Sequence, residues 1–213
     1  MSTTKKQRIN IWVITILLVL GTVVSFIALI LNEQSSVKEQ AQLQKEYSNY
    51  EKAYKEYQTE VDTQNKQLSS QYYSTLNQFA SSVGNFDAKA VTKLSAEDLI
   101  VGTGDTITSS TVYSAYYIGW NPKGKIFDQS ISKGALKSPV SSDSGLIKGW
   151  TQGAVGMKLG GVRELSVPSD LAYGKSGKGT DIPANTPLKF IILAIPKIDT
   201  ISQPSLSEYI TSY

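Results

Sequence analysis

From Ile9 to Leu31 the chain runs INIWVITILLVLGTVVSFIALIL without a charge, and no other stretch limits its fold so sharply. In a helix each residue rises by about 1.5 Å, so this run is long enough to cross a hydrocarbon core about 30 Å thick. A cleaved signal peptide is the competing reading. Its apolar core would be about 7–15 residues long and followed by a small-residue cleavage site, and neither fits here. The sequence therefore predicts a transmembrane helix over residues 9–31. Lys5, Lys6 and Arg8 precede it and no cation falls between Asn32 and Val37. The positive-inside rule then puts residues 1–8 in the cytoplasm and everything from Asn32 outside. The expected localisation is a single-pass membrane protein with a cytoplasmic N-terminus and an extracytoplasmic remainder.

Those three cations account for the whole net charge of +3, because the other basic and acidic residues cancel. No basic surface of the size nucleic acid requires is implied. The chain has no Cys and no His. That removes disulfides, thiol nucleophiles, histidine triads, cysteine lipid anchors and nearly every zinc, copper or haem site.

Between residues 32 and 80 the composition shifts to Gln, Glu, Lys, Ser and Tyr without Pro or Gly, the composition of a long solvated helix. Leu43, Tyr47, Tyr50, Tyr54, Tyr57 and Val61 step alternately by four and three, which is a heptad seam. The register continues less regularly through Leu68, Tyr72, Leu76 and Phe79. Two readings stay open: a coiled coil that pairs chains as a homodimer through residues 40–79, or a single amphipathic helix laying its tyrosine stripe on a neighbouring domain or on itself. Tyrosine suits a coiled-coil core poorly, since its hydroxyl needs water or a partner.

Ser81-Ser82-Val83-Gly84-Asn85 ends the helical pattern and opens a linker over 81–97. Every proline lies beyond it. Alternating runs such as Val112 to Ile118 and Leu188 to Ile195, separated by Asn121-Pro122-Lys123-Gly124 and Ser176-Gly177-Lys178-Gly179, read as strands and turns. One helix-sized segment falls near Ile147 to Met157. Residues 98–199 are expected to form a small, mainly antiparallel α+β domain, with a flexible tail over 200–213. Met1 to Phe79 are expected to be dispensable for its folding.

The common catalytic patterns fail. Gly102-Thr103-Gly104-Asp105 lacks the third glycine of a dinucleotide loop, and no Gly-Lys-Ser/Thr closes Gly156 to Gly161. Asp128, Asp170 and Asp181 have no EF-hand spacing. No histidine could activate the many serines. What stands out instead is a set of aromatics in Gly- or Pro-containing surroundings. Tyr117-Ile118-Gly119, Gly124-Lys125-Ile126-Phe127-Asp128-Gln129-Ser130, Leu146-Ile147-Lys148-Gly149-Trp150-Thr151-Gln152-Gly153, Leu165-Ser166-Val167-Pro168, Leu171-Ala172-Tyr173-Gly174, Ile182-Pro183-Ala184-Asn185 and Leu188-Lys189-Phe190 occur in order. Together they resemble the FKBP family of peptidyl-prolyl cis-trans isomerases over roughly residues 98–198.

That resemblance implies a curved antiparallel sheet wrapped around one short helix, with a hydrophobic proline pocket between them. It implies that Trp150 forms the pocket floor and that Tyr117, Phe127, Leu146, Ile147, Tyr173, Ile182 and Phe190 line its walls. Asp128 would order the Tyr117 hydroxyl, while the Ile147 N–H and the Tyr173 hydroxyl would meet substrate carbonyls. Catalysis would rest on Tyr117, Phe127, Asp128, Trp150, Tyr173 and Phe190, with Leu146, Ile147 and Ile182 binding substrate and no cofactor or metal taking part. The sequence departs from the family pattern between Ile131 and Ser144, where only Leu136 or Val140 stands in for a second pocket phenylalanine. It also departs at Asp181, where an apolar residue is usual, and at Lys178, where histidine is frequent. The expected function is a membrane-anchored isomerase that acts on proline-containing polypeptides and assists the folding of secreted or surface proteins. The alternatives are a non-catalytic proline-peptide binding module or chaperone on a membrane stalk, and a purely structural assembly domain.

Overall fold

The structure is a computed structural model and describes residues 36–210. Helix α1 spans Ser36–Asn77. Eight strands follow: β1 (Ser95–Ile100), β2 (Ser114–Trp120), β3 (Ile126–Gln129), β4 (Ile131–Ser132), β5 (Ala135–Leu136), β6 (Val140–Ser141), β7 (Val162–Val167) and β8 (Leu188–Ile195). Helix α2 (Lys148–Gly153) lies between β6 and β7, and α3 (Leu206–Tyr209) closes the described chain. The described residues fall into two compact units, 36–58 with 202–210 and 59–201, so that α1 contributes to both.

In the larger unit the strands pair antiparallel in the order β1-β7-β8-β2-β3, with β6 also on β2 and β4–β5 forming a separate hairpin. The period-2 alternation of strand side chains divides the interior into two layers. Ala115 and Tyr117 of β2, Leu165 and Val167 of β7, and Phe190 and Ile192 of β8 face one side, together with Trp150 of α2. Tyr116, Ile118 and Trp120 of β2, Val162 of β7, and Ile191, Leu193 and Ile195 of β8 face the other. Helix α2 approaches β7 closely because Gly149 and Gly153 face it. A Cβ on Gly153 would stand 2.7 Å from Leu165 Cδ2, and one on Gly149 would collide with Val167.

Strands β2 and β8 are buried on both faces because a second element covers the far side. Leu68 and Leu76 of α1 are buried there, with Tyr72, Tyr73, Phe79, Val83 and Phe86 packed beside them. Ser69, itself buried, accepts a hydrogen bond from the Leu136 backbone N–H at 2.9 Å. Trp120 Nε1 donates to the Gly84 carbonyl at 3.1 Å, and Phe86 N–H donates to the Pro122 carbonyl. Residues Leu68 to Phe86, expected to be spacer and linker, are therefore one wall of the hydrophobic interior. The reason is the sheet itself: Ile191, Leu193, Ile195, Tyr116, Ile118 and Trp120 form an apolar face that water would otherwise meet.

In the smaller unit Leu43, Tyr47, Tyr50, Tyr54 and Tyr57 of α1 are half-buried. The tyrosine rings follow one another with centroids 6.4, 6.0 and 5.9 Å apart. Tyr209 of α3 meets Tyr50 edge-on at 6.0 Å, so the tail supplies an intramolecular partner for the stripe.

The expected transmembrane helix needs correction. Among the described residues no helix is long and apolar enough to cross a membrane. Helix α1 has the length, at 42 residues, but it is polar in composition. The run from Ile9 to Leu31 lies outside the described residues. The fold is thus an antiparallel sheet with a short helix and a long polar helix, and the single-pass localisation built on a membrane span is not supported.

Candidate functional site

Between α2, the sheet and the loop from Pro168 to Pro187 lies an open cleft of about 510 Å³. Trp150, 2% exposed on α2, sits at its base. The indole is fixed from below, since Nε1 donates to Tyr113 Oη at 3.1 Å. Around it the aromatic rings meet edge to face, the arrangement their quadrupoles prefer. Tyr117 lies 5.2 Å from Trp150 at 79°, Phe190 lies 5.5 Å from Trp150 at 66°, and Phe127 lies 5.6 Å from Phe190 at 80°. Gly119 makes this closeness possible, because a Cβ there would stand 2.7 Å from Phe127 Cζ and 2.8 Å from Phe190 Cε1.

One wall is polar. Tyr117 Oη donates to Asp128 Oδ2 at 2.6 Å, and the Gln129 backbone N–H donates to Asp128 Oδ1 at 2.8 Å. Lys137 Nζ lies 3.6 Å from the same carboxylate. The buried Ser130 pins Tyr117 from the bend just after β3, as its Oγ accepts from Tyr117 N–H at 2.9 Å and its N–H donates to the Tyr117 carbonyl at 2.8 Å. Burial, and then the hydrogen bond to Asp128, push the Tyr117 hydroxyl well above the ordinary tyrosine range. Tyr117 is therefore a proton-bearing donor at any physiological pH.

The opposite wall is the loop carrying Tyr173 and Ile182. Lys178 N–H donates to the Ile182 carbonyl and Asn185 N–H to the Gly174 carbonyl, both at 2.7 Å, so the loop folds back on itself. Its attachment to the sheet is Asn121, 6% exposed, whose Nδ2 donates to the Asp181 carbonyl at 2.8 Å. Asp181 is also ion-paired with Lys125 at 2.5 Å. Ile182 is buried at the cleft, whereas Tyr173 is half-buried with its hydroxyl 3.5 Å from Lys178 Nζ. Leu146 and Ile147 line the approach to α2. The Ile147 N–H makes no hydrogen bond among the described residues.

Each of the nine site residues named from the sequence, Tyr117, Phe127, Asp128, Leu146, Ile147, Trp150, Tyr173, Ile182 and Phe190, lines this one cleft. Gly145, Lys178, Gly179, Thr180 and Asp181 complete the lining. Neither stand-in for a second phenylalanine reaches it. Val140 packs in the layer beneath the cleft and Leu136 in the layer facing α1. Sequence reasoning missed three supports. Tyr113 was legible in principle, being two residues before Ala115 and four before Tyr117 on an alternating run. Asn121 looked like an ordinary turn residue. Arg163, 7% exposed, donates to both Asp98 oxygens at 2.6 and 2.9 Å and to the Gly153 and Val155 carbonyls at 2.9 and 3.0 Å, holding the end of α2. Only tertiary contact reveals it.

An aromatic-floored cleft with a few aimed donors is the kind of site that can take a small apolar group. The family model described as FKBP-type peptidyl-prolyl cis-trans isomerase matches residues 104–194. The FK506-binding protein of Neisseria meningitidis serogroup B is 37% identical over 100 residues, covering 46% of this chain and 89% of that protein. FK506-binding protein 4 of Dictyostelium discoideum is 42% identical over 100 residues, covering 46% of this chain but 26% of that protein. A crystal structure of a peptidyl-prolyl cis-trans isomerase from Pseudomonas syringae pv. tomato is 33% identical, covers 56% of this chain and 87% of that one, and has a TM-score of 0.42. This chain belongs to the FKBP-type peptidyl-prolyl cis-trans isomerase family. It spans about a quarter of the length of the first curated relatives it matches.

Proposed function

We propose that the chain catalyses cis-trans isomerisation of X-Pro bonds in polypeptides, with the cleft around Trp150 as its active site. The single observation that carries this reading is the aromatic cleft floored by Trp150 and bordered by the Tyr117–Asp128 hydrogen bond, within the segment the family match covers.

The reaction demands little covalent chemistry. Rotation about X-Pro must surrender amide resonance across a barrier of ~18–20 kcal/mol, while the two ground states lie within about 1 kcal/mol of each other. No bond forms or breaks. Seating the prolyl ring against Trp150, Phe127 and Phe190 removes water from the amide, and water stabilises the planar, polar form more than the twisted one. The twisted amide has a pyramidal nitrogen and a carbonyl turned from its ground-state direction. Donors fixed along the walls, the Tyr173 hydroxyl and the Ile147 N–H, favour that carbonyl, so binding is differential between transition state and ground state. Asp128 acts by holding the Tyr117 hydroxyl, so that this wall does not reorganise as the substrate turns.

A binding module without turnover is the second reading, and the missing second phenylalanine keeps it in play. Pairing of chains through residues 40–79 has support only over the seam from Leu43 to Val61, because Leu68, Tyr72 and Leu76 face the sheet. The test is a proline-limited refolding assay with wild type and Phe127→Ala, read beside tryptophan fluorescence on adding a proline peptide. Faster refolding that falls in the variant supports catalysis. Fluorescence change without acceleration establishes the binding module instead.

A further inference from the structure

Of the three charged side chains that line the cleft, Asp128, Lys178 and Asp181, two are ion-paired. Asp128 on one wall has Lys137 at 3.6 Å, and Asp181 on the other has Lys125 at 2.5 Å. Lys178 is the lysine that lines the cleft itself. Among the described residues no carboxylate forms an ion pair with it. Its backbone is fixed by the hydrogen bond to Ile182, and its ammonium rests on Tyr173, 3.5 Å from the hydroxyl and 5.1 Å from the ring centroid. Tyrosine offers it a dipole and a π-face but no compensating charge.

We infer that Lys178 makes the cleft selective for polypeptides that carry an acidic side chain directly before or after the proline. The inference rests on the isomerase reading of the cleft and gives it a substrate class. The geometry follows from reach. Tyr173 borders the seat of the prolyl peptide, successive residues of an extended chain advance by about 3.3–3.6 Å, and Lys178 Nζ stands one hydrogen bond from the Tyr173 hydroxyl. A carboxylate on the residue next to the proline therefore meets an ammonium that has no other anion to leave. Lys125 and Lys137 do not compete, since each already faces a carboxylate. Lys178 is exposed, so the factor is modest. Solvent-exposed ion pairs reach at most about fivefold in an equilibrium, and salt screens them over about 10 Å at 0.1 M.

The experiment uses the full chain and four peptides alike except for Glu or Gln at the position before or after proline. These are isosteres differing in charge. Isomerisation kcat/KM and peptide affinity by tryptophan fluorescence are both measured at low and high salt. The expected result is a preference of about two- to fivefold for Glu at one position or both, shrinking at high salt, abolished in Lys178→Gln and reversed in Lys178→Glu. Equal handling of Glu and Gln peptides, or a preference that survives Lys178→Gln, overturns the inference while acceleration of all four peptides leaves the isomerase reading intact. If no peptide is accelerated, that reading falls. The Glu-to-Gln affinity ratio then still decides for or against Lys178. The wild-type ratio needs no variant to fold.

Discussion

Tyr117 and Asp128 share one short hydrogen bond, 2.6 Å long, between a hydroxyl held above its usual pKa and a carboxylate that also accepts from Gln129 N–H. Removing the acceptor frees the hydroxyl to turn, and the cost falls on the transition state more than on folding, because Asp128 is exposed. Asp128→Ala is expected to lower kcat/KM by about tenfold, equivalent to about 1.4 kcal/mol of transition-state stabilisation, with an unchanged melting temperature as the check. Because the Tyr117 hydroxyl sits above the ordinary 10.0, activity should show no loss from its ionisation as pH rises to about that value. A falling limb centred near pH 8–9 in the pH–rate profile that vanishes in Tyr117→Phe would contradict this. On the far face of β2, Tyr116 Oη is buried without a hydrogen-bond partner among the described residues, and burial, then the neighbouring Tyr72, raise its pKa to about 12. Tyr116→Phe removes an unsatisfied hydroxyl and should be neutral or stabilising by about 1 kcal/mol in a denaturant titration.

At the scale of elements, Arg163 binds three pieces together: β1 through Asp98, β7 through its own backbone, and the end of α2 through the Gly153 and Val155 carbonyls. The Asp98 carboxyl titrates below its usual 3.8, chiefly because Arg163 donates to it, against an opposing push from burial. A depressed folded-state pKa means stability present above the unfolded value and lost as pH falls through the folded one. The melting temperature should therefore drop on acidification below about pH 4, and Asp98→Asn should flatten that part of the profile. A second junction is Ser69 of α1, which accepts from Leu136 N–H in a buried setting. Ser69→Ala leaves that N–H unsatisfied and should cost about 1–3 kcal/mol, whereas Ser69→Thr keeps the acceptor. The sequence conveyed these elements unequally. Strands β2 and β8 and helix α2 were legible because alternation and glycine placement are local properties, whereas β1 begins inside the stretch expected to be linker. The cleft was legible because its aromatics fall in ordered blocks that a family shares. Arg163, Asn121 and Ser69 were not, since the contacts that make them supports reach partners 8 to 67 residues away in sequence.

Over the whole chain, the largest difference from sequence reasoning concerns α1. Its heptad steps from Leu43 to Val61 left both a coiled coil and a single amphipathic helix open, and the pattern loosens where Leu68, Ser69, Tyr72 and Leu76 turn to the sheet. A loosened heptad is what a helix shows when its neighbour becomes a twisted sheet rather than another helix. Residues 90–213 alone would bare Tyr116, Ile118, Trp120, Ile191, Leu193 and Ile195, and should aggregate or unfold, whereas residues 59–213 retain the covering segment and should stay folded. Comparing the two by sedimentation and circular dichroism checks this. The central claim is that the Trp150 cleft performs X-Pro isomerisation, and a protease-free isomerisation assay on the full chain, wild type beside Asp128→Ala, tests it most directly. Acceleration above the uncatalysed rate that falls by about tenfold in the variant is the expected result. A folded wild type that leaves the uncatalysed rate unchanged, or a variant as fast as wild type, contradicts it.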